Sequence, residues 1–400
     1  MKQFLPTIVI AQFFCTSLWF AGNSIVSEMG KDLDLDPSFF VHLTSAIQLG
    51  FIGGTLIFSV FTISDRFSPS YVFFISSILA GIFNLAIAFG FVSPGPILSF
   101  RFLTGFFLAG IYPVGMKLAS DHTRSGLGKS LGFLVGALVL GTALPHLIRD
   151  LISSYPWKYV VYTTSLLSFL GGFSVFLFVP NGPYRKIGQK LNLVSFLRGF
   201  KKPNFRYASF GYFGHMWELY TFWAFVPWML TDYNQRFPDN TINVPILSFL
   251  IIGSGAFACV LSGFLSEYFG LKWTAFSALF LSCTCCFLSP FLLYSNSILF
   301  LLCFLFFWGL VVIADSPLFS TLVAQNSPEE SRGSSLTIVN CIGFGITIMS
   351  IQIINALSVF MIPRYLYMWL SIGPILGLFF LWKLKEEEFD KKIISNDLKR

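Results

Sequence analysis

His215 and Glu218 stand three residues apart in the stretch Tyr212–Trp228, which reads YFGHMWELYTFWAFVPW. The stretch lies in a run of about 25 mostly apolar residues, long enough to cross a bilayer as a helix. Spaced i, i+3, the two side chains share one helix face. Glu218 falls roughly 17 Å from the inner end of that run at 1.5 Å per residue. An ionisable pair at that depth is costly in hydrocarbon, so it is expected to face a polar cavity or a partner. The chemistry open to it is proton exchange. Burial and nearby charge move a carboxyl in opposite directions, and imidazole titrates near neutral pH. The competing reading is a fixed hydrogen-bonded network that only holds the helix in shape. Arg101 and Asp315 are two further charges inside apolar runs. Arg101 is expected to pair with Glu218, to receive an anion, or to cap its helix toward the outer side. Asp315, followed by Ser316-Pro317, reads equally as a gate or as the partner of a helix break.

The elements that must position these groups are membrane helices. The 400 residues are 55% hydrophobic and 11% charged, with 50 Phe, whereas a soluble domain is nearer one quarter charged. Twelve apolar runs are long enough to span: 4–25, 39–61, 70–92, 97–119, 130–149, 159–180, 207–230, 245–266, 273–294, 298–324, 334–359 and 365–383. None alternates as a barrel strand does, so an all-α membrane bundle is expected. The first run reads as a span, not a cleavable leader. Of the 26 Lys and Arg, 19 fall on the side of the termini, 5 on the other, and Arg101 and Lys117 within spans. The positive-inside rule then puts both termini in the cytoplasm, and the net charge of +7 is an orientation signal. Basic blocks with interleaved aromatics are missing outside the apolar runs, which argues against nucleic acid. Seven Cys lie in apolar runs without metal-ligand spacing and read as small buried hydrophobes. No cofactor is expected. An intramembrane enzyme built on His215 and Glu218 lacks a nucleophile or an HExxH, and there is no P-loop for ATP. A non-transporting sensor would lack any signalling domain. The outer loops hold no N-x-[ST] acceptor, which points to a bacterial inner membrane.

The chain divides into a six-helix half at 1–180, a basic linker at 181–206, a second six-helix half at 207–385 and a tail at 386–400. The linker carries a candidate surface helix, Leu191 to Phe200. The halves repeat each other. SDRF at Ser64–Phe67 matches SEYFGLK at Ser266–Lys272, and the segments Ala119–Gly132 and Ala324–Thr337 match at nearly the same offset. Duplicated halves are a mark of secondary transporters that rock around a central site.

At these residues the chain resembles the major facilitator superfamily along essentially its whole length. That family carries a loop motif G-x-L-[SA]-D-R-x-G-R-[RK]. Gly263 to Lys272 fits it, with Glu267 for the Asp, and with Gly270 and Lys272 in place. The first copy keeps Asp65 and Arg66 but has Phe61 for the leading Gly and Ser68-Pro69-Ser70 for the end. Arg101-Phe-Leu-Thr-Gly105 is similar to the family's span-4 pattern, whose Arg is often tied to proton coupling. Gly132, Gly136, Gly141 and Pro145 resemble its glycine-rich span 5, where packing is the favoured role. The texture looks like the nitrate/nitrite and cyanate permeases. However, spans 2 and 8 lack the Arg expected for nitrate, and span 2 offers His42 and Gln48 instead.

The resemblance implies twelve helices in two pseudo-symmetric six-helix halves, with helices 1, 4, 7 and 10 lining a central cavity. On them lie Trp19 and Asn23, Arg101, His215, Trp217, Glu218, Tyr220 and Trp223, and Asp315. The aromatics are read either as a cage for a flat or cationic ligand or as interfacial belts, Trp228 as belt, and Lys117 as snorkelling. The expected function is secondary transport of a small solute by alternating access, coupled to protons, in a monomer within the bilayer. The solute is expected to be a small organic or inorganic anion, with export of cationic or drug-like compounds as the alternative.

Overall fold

The computed structural model describes residues 4–36, 38–89, 93–123, 127–185, 193–328 and 332–385. The tail 386–400 and positions 186–192 of the linker lie outside them. Every regular element in the described residues is helical. Twelve crossings run back and forth, so Phe4 and Lys385 share one face, called near here, and the opposite face is called far. Crossing 1 is Phe4–Thr16 and Ala21–Leu33, crossing 2 Phe39–Val60, and crossing 3 Pro69–Ala86. Crossing 4 is Pro94–Leu108 and Tyr112–Asp121, crossing 5 Leu127–Leu151, and crossing 6 Lys158–Phe178. After a linker helix at Leu193–Phe200 come crossing 7 at Pro203–Arg236, crossing 8 at Val244–Phe269 and crossing 9 at Leu271–Leu292. Crossing 10 is Ile298–Ala314 and Ser316–Asn326, and crossing 11 is Arg332–Phe360. Crossing 12 begins as a 3-10 turn, Pro363–Ser371, and continues as Ile372–Lys383.

Eleven of these are long and apolar enough to span on composition alone. Crossing 7, at 34 residues, is the longest described helix and is not among those eleven. His215, Glu218 and its run of Tyr and Trp lower its hydropathy. The outward faces carry large exposed apolar side chains such as Phe173, Phe257, Phe287 and Phe291, as a lipid-facing surface requires.

Three crossings are broken near mid-depth, each for a local reason. Pro113 follows the break in crossing 4 and Pro317 that in crossing 10. Each removes a backbone N–H and clashes with the carbonyl one turn back. Crossing 1 has no proline there. The Thr16 and Ser17 hydroxyls instead donate back to the carbonyls of Gln12 and Phe14 at 2.8 and 2.6 Å, which competes with helix geometry.

The halves pack by the same device twice. A Cβ on Gly105 of crossing 4 would overlap the Ile47 carbonyl of crossing 2, and one on Gly50 the Phe102 carbonyl. In the second half, Gly309 of crossing 10 abuts the Ile251 carbonyl of crossing 8, and Gly255 abuts Ile313. Gly309 and Ile251 each lie 204 residues after Gly105 and Ile47. Between halves, crossings 2 and 11 meet through Gln352 Nε2 donating to Ser45 Oγ at 2.9 Å and through Ser59 and Thr337 at 3.3 Å. Crossings 5 and 8 meet through Asn243 Nδ2 donating to Asp150 Oδ1 at 2.6 Å. Of the span-5 glycines, Gly141 packs against Thr16 and the Phe13 carbonyl, whereas Gly132 faces open space.

Candidate functional site

Where crossings 1, 5, 7 and 8 diverge toward the far face they leave a cavity of about 1130 Å³. Its mouth carries Glu28, Lys31, Asp34, Asp36, Arg149 and Asp150, and its deeper wall Asn23, His146, Ala224 and Trp228. Arg149 is fully engaged at the mouth. It lies 2.5 Å from Glu28 and donates to the carbonyls of Ile152, Ser153 and Tyr155. Asp36 accepts from the hydroxyl and the amide of Ser38 at 2.6 and 2.8 Å, and these bonds hold its carboxyl below the usual carboxylate range. Trp228 stands on this wall, 4.9 Å from Phe40.

Below the cavity the halves close on an aromatic cluster. Trp19 lies 5.0 Å from Phe51, 5.8 Å from Tyr220 and 5.5 Å from Phe344, and Tyr220 lies 5.2 Å from Trp223. Phe344 completes it at 4.9 Å from Phe51 and 5.2 Å from Tyr220. The cluster thus joins crossings 1 and 2 to crossings 7 and 11. Asn23, one turn above Trp19, donates to Thr44 at 2.7 Å and keeps its carbonyl oxygen free of protein partners.

The membrane charges turn away from this floor. The Arg101 guanidinium is wholly buried and donates to the carbonyls of Leu18 and Trp19, at 3.0 and 2.6 Å, and to Asn84 Oδ1 at 3.2 Å. It therefore stitches the break in crossing 1. Among the described residues no carboxylate is a hydrogen-bond partner of Arg101, and Glu218 lies in the other half. Glu218 Oε1 accepts from Trp308 Nε1 at 2.7 Å, Ser282 Oγ at 2.5 Å and Cys286 Sγ at 3.3 Å. It is thus held between crossings 7, 9 and 10. His215, at i−3, turns elsewhere. Its Nδ1 and Asp315 Oδ1 lie 2.8 Å apart, an ion pair when the imidazole is protonated. Both side chains are 1% exposed, and Asp315 sits at the break in crossing 10. Trp217 donates to the Trp369 carbonyl at 3.3 Å and packs on Gly373, so it belongs to the contact with crossing 12.

At the near face the two loop copies differ. Asp65 accepts Lys117 Nζ at 2.9 Å, and Lys117 also approaches Asp121 at 3.7 Å. Lys117 is thus a bridge, not a snorkelling side chain. Arg66 is exposed and donates to Thr62 Oγ1 at 3.2 Å. Glu267 is exposed and makes no ion pair among the described residues. Gly263 faces open space, Gly270 ends crossing 8 at φ 80°, and Lys272 reaches the Trp382 carbonyl at 3.4 Å.

The family model of the Major Facilitator Superfamily matches residues 8–351. The chain belongs to that superfamily. It is a secondary transporter, a multi-pass membrane protein and not an enzyme. A structure of the proton:xylose symporter XylE is similar over 97% of this chain and 97% of that one, with TM-score 0.73 at 13% identity. A structure of the nucleoside transporter NupG is similar over 96% of this chain and 100% of that one, with TM-score 0.71 at 14% identity. At such identities the likeness is one of fold. No curated protein matches the chain.

Several residues of this transporter's interior escaped the sequence reading. Asn84, Ser282 and Cys286 form no motif, and short polar side chains in apolar runs are usually packing. Only the partners that surround them give them roles.

Proposed function

We propose that the transporter moves a small solute by alternating access and couples it to protons through Glu218 and the His215–Asp315 contact. The observation that carries this is three titratable side chains at mid-depth of one half, each about 1% exposed or less. Buried ionisable groups in a membrane persist where they do work, because each is costly to keep. Asp315 occupies the break of crossing 10, so movement there changes its distance to His215. Protonation and helix geometry are thereby linked. Glu218 is held only by side chains, which can release it without breaking a backbone ladder.

The charge bias of the loops supports cytoplasmic termini, and a bacterial inner membrane and a monomer complete the reading. The halves are divided near 180 and 207. For an anionic solute the support is thin, since Arg101 gives its two terminal nitrogens to Leu18, Trp19 and Asn84 and Arg149 is paired with Glu28. A cationic solute is favoured at the mouth by Glu28, Asp34, Asp36 and Asp150 against Lys31 and Arg149. The test is flux in proteoliposomes carrying an internal pH dye, for wild type, Glu218→Gln and Asp315→Asn. Proton movement with solute in wild type, lost in either variant while solute still exchanges, is the expected result. Equal proton movement in all three proteins removes the coupling assignment.

A further inference from the structure

One corner of the near face sets lysines against an exposed aromatic surface. Crossing 9 begins there with Leu271-Lys272-Trp273, and crossing 12 ends there with Trp382-Lys383. Lys272 Nζ donates to the Trp382 carbonyl at 3.4 Å and lies 4.9 Å from the centre of the Trp273 ring. The two indoles meet edge to face at 5.9 Å, and both are exposed. Lys383 folds back along crossing 12, its Nζ 4.0 Å from the centre of the exposed Phe379 ring. Asn204, at the start of crossing 7, exchanges two hydrogen bonds with the backbone of Lys385, at 3.0 and 3.3 Å. That clasp brings the exposed Lys201 and Lys202 to the same end. None of these lysines enters an ion pair among the described residues. The acidic run Glu386–Glu388 follows in the tail, outside them.

The first half shows that joining such a corner takes no charge. There crossings 3 and 6 are tied by Ser70 Oγ donating to the Val179 carbonyl at 2.6 Å and by Ser68 Oγ donating to Asn181 Oδ1 at 2.7 Å. Asp65 and Glu267 of the two loop copies stand 202 residues apart, and so do Ser70 and Lys272. Arg185 in the first half donates to the carbonyls of Asp65 and Phe67 and is engaged by them. Lys272 thus does the structural work of a serine and adds a charge that the fold does not use. Interfacial tryptophans alone are general to membrane proteins. Here two of them are held together by crossings 9 and 12 and flanked by cations. A lysine stem lies along apolar surface while its head stays at the interface. Basic pockets between membrane helices at that depth suit anionic headgroups. An acidic protein or a free anion would use the lysines and leave the indoles bare, whereas a phospholipid uses both.

We infer that this corner is a binding site for an anionic phospholipid of the near leaflet. Lys272 and Lys383 receive its phosphate, and the upper part of an acyl chain lies on Trp273, Trp382 and Phe379. Lys201 and Lys202 add attraction that fades within a Debye length. The site lies outside the solute path and is independent of which solute is carried.

The test is native mass spectrometry of the delipidated full chain in detergent, titrated with phosphatidylglycerol or phosphatidylcholine of equal chain length. Each lysine is expected to favour the anionic lipid about fivefold, so the wild type should prefer phosphatidylglycerol about 25-fold. Lys272→Gln and Lys383→Gln should each lower that ratio about fivefold. The double variant should bind the two lipids equally. Lys383 rests on a ring and not on a carbonyl, so its variant carries the test if Lys272→Gln disturbs the join. Arg66→Gln removes an exposed cation from the near face of the first half and should leave the ratio unchanged. Trp382→Leu should weaken both lipids alike. Equal binding of both lipids to the wild type overturns the site, and is the outcome if Glu386–Glu388 pair with the lysines. A ratio lowered as much by Arg66→Gln as by Lys383→Gln reports general surface charge and overturns the placement. Displacement of phosphatidylglycerol by millimolar sn-glycerol 3-phosphate assigns the lysines to a free phosphate and overturns the lipid.

Discussion

The two halves of the bundle are alike in backbone and opposed in charge. At the offset set by the glycine contacts, Gly105 corresponds to Gly309 and the break before Tyr112 to the break at Asp315. The side chains diverge at the same offset. Arg101 corresponds to Leu305, Asp315 to Ile111, Glu218 to Phe14 and His215 to Ala11. The first half spends its buried cation on the backbone, because crossing 1 is broken and its carbonyls need donors. Crossing 7, its counterpart, stays continuous through Pro227, and its buried Glu218 is bound by side chains. A charge that satisfies carbonyls is part of a fixed frame. A charge held by a hydroxyl, a thiol and an indole can change partners. The same helix arrangement thus carries a backbone-bound cation at mid-depth in one half and a side-chain-bound carboxylate in the other.

The contrast is sharpest at Arg101. Arg101→Leu makes the first half like the second and strands the Leu18, Trp19 and Asn84 acceptors. A loss of about 4 kcal/mol is expected, from roughly 1–3 kcal/mol per unsatisfied buried group. It is measurable as thermal unfolding of the detergent-solubilised protein, and Arg101→Lys should recover part of it. An unchanged unfolding temperature would show that crossing 1 does not depend on this cation.

The shared backbone predicts a shared cost. Gly105→Leu and Gly309→Leu each drive a side chain into a facing backbone and should each cost about 3 kcal/mol. Unequal losses, read by the same melting experiment, would break the equivalence of the two packing devices. On the titratable side, Glu218→Ala leaves Trp308 Nε1 and Ser282 Oγ without their acceptor and should cost about 2 kcal/mol. Glu218→Gln retains an acceptor and should cost about 1 kcal/mol or less. If the two variants melt together, the network is not what holds Glu218.

At the near face the expected effects are small. Lys117→Ala removes a bridge that is partly exposed and should cost about 0.5 kcal/mol, less at high salt. Lys272→Ala in the second loop copy should cost less still. Smallest is the far loop. Its Asp36 carboxyl is held low by Ser38, so the contact is intact above the ordinary aspartate range and is lost as pH falls through the folded-state value. Protection of the Ser38 amide, its exchange rate relative to the intrinsic rate at each pH, should fall only in acid. A fall beginning near neutral pH would contradict the assignment.

Much of this was legible in the residues. Run lengths placed the crossings, because a bilayer demands about 20 apolar residues whatever their order. Crossing 7 stood out through His215 and Glu218, the same residues that lower its hydropathy. Partners were not legible. Spacing puts His215 and Glu218 on one face, yet a helix face is wide enough to meet two neighbours, and Asp315 takes one while crossings 9 and 10 take the other. The loop copies misled in a similar way. The better match, around Glu267, is solvent-exposed, while the degraded copy supplies Asp65 to Lys117, because an ion pair needs a partner opposite and not a complete motif.

By itself, then, the sequence determined the class of the molecule: a twelve-helix membrane bundle, duplicated, with ionisable groups at depth. Those follow from composition, length and repeat, which are properties of a chain read one residue at a time. Only the tertiary structure decided which charges meet, that Arg101 serves a broken helix, and that Glu218 is held by Ser282, Cys286 and Trp308. Hydrogen bonds of about 3 Å depend on how helices far apart in sequence come to lie, and no spacing along one helix carries that distance.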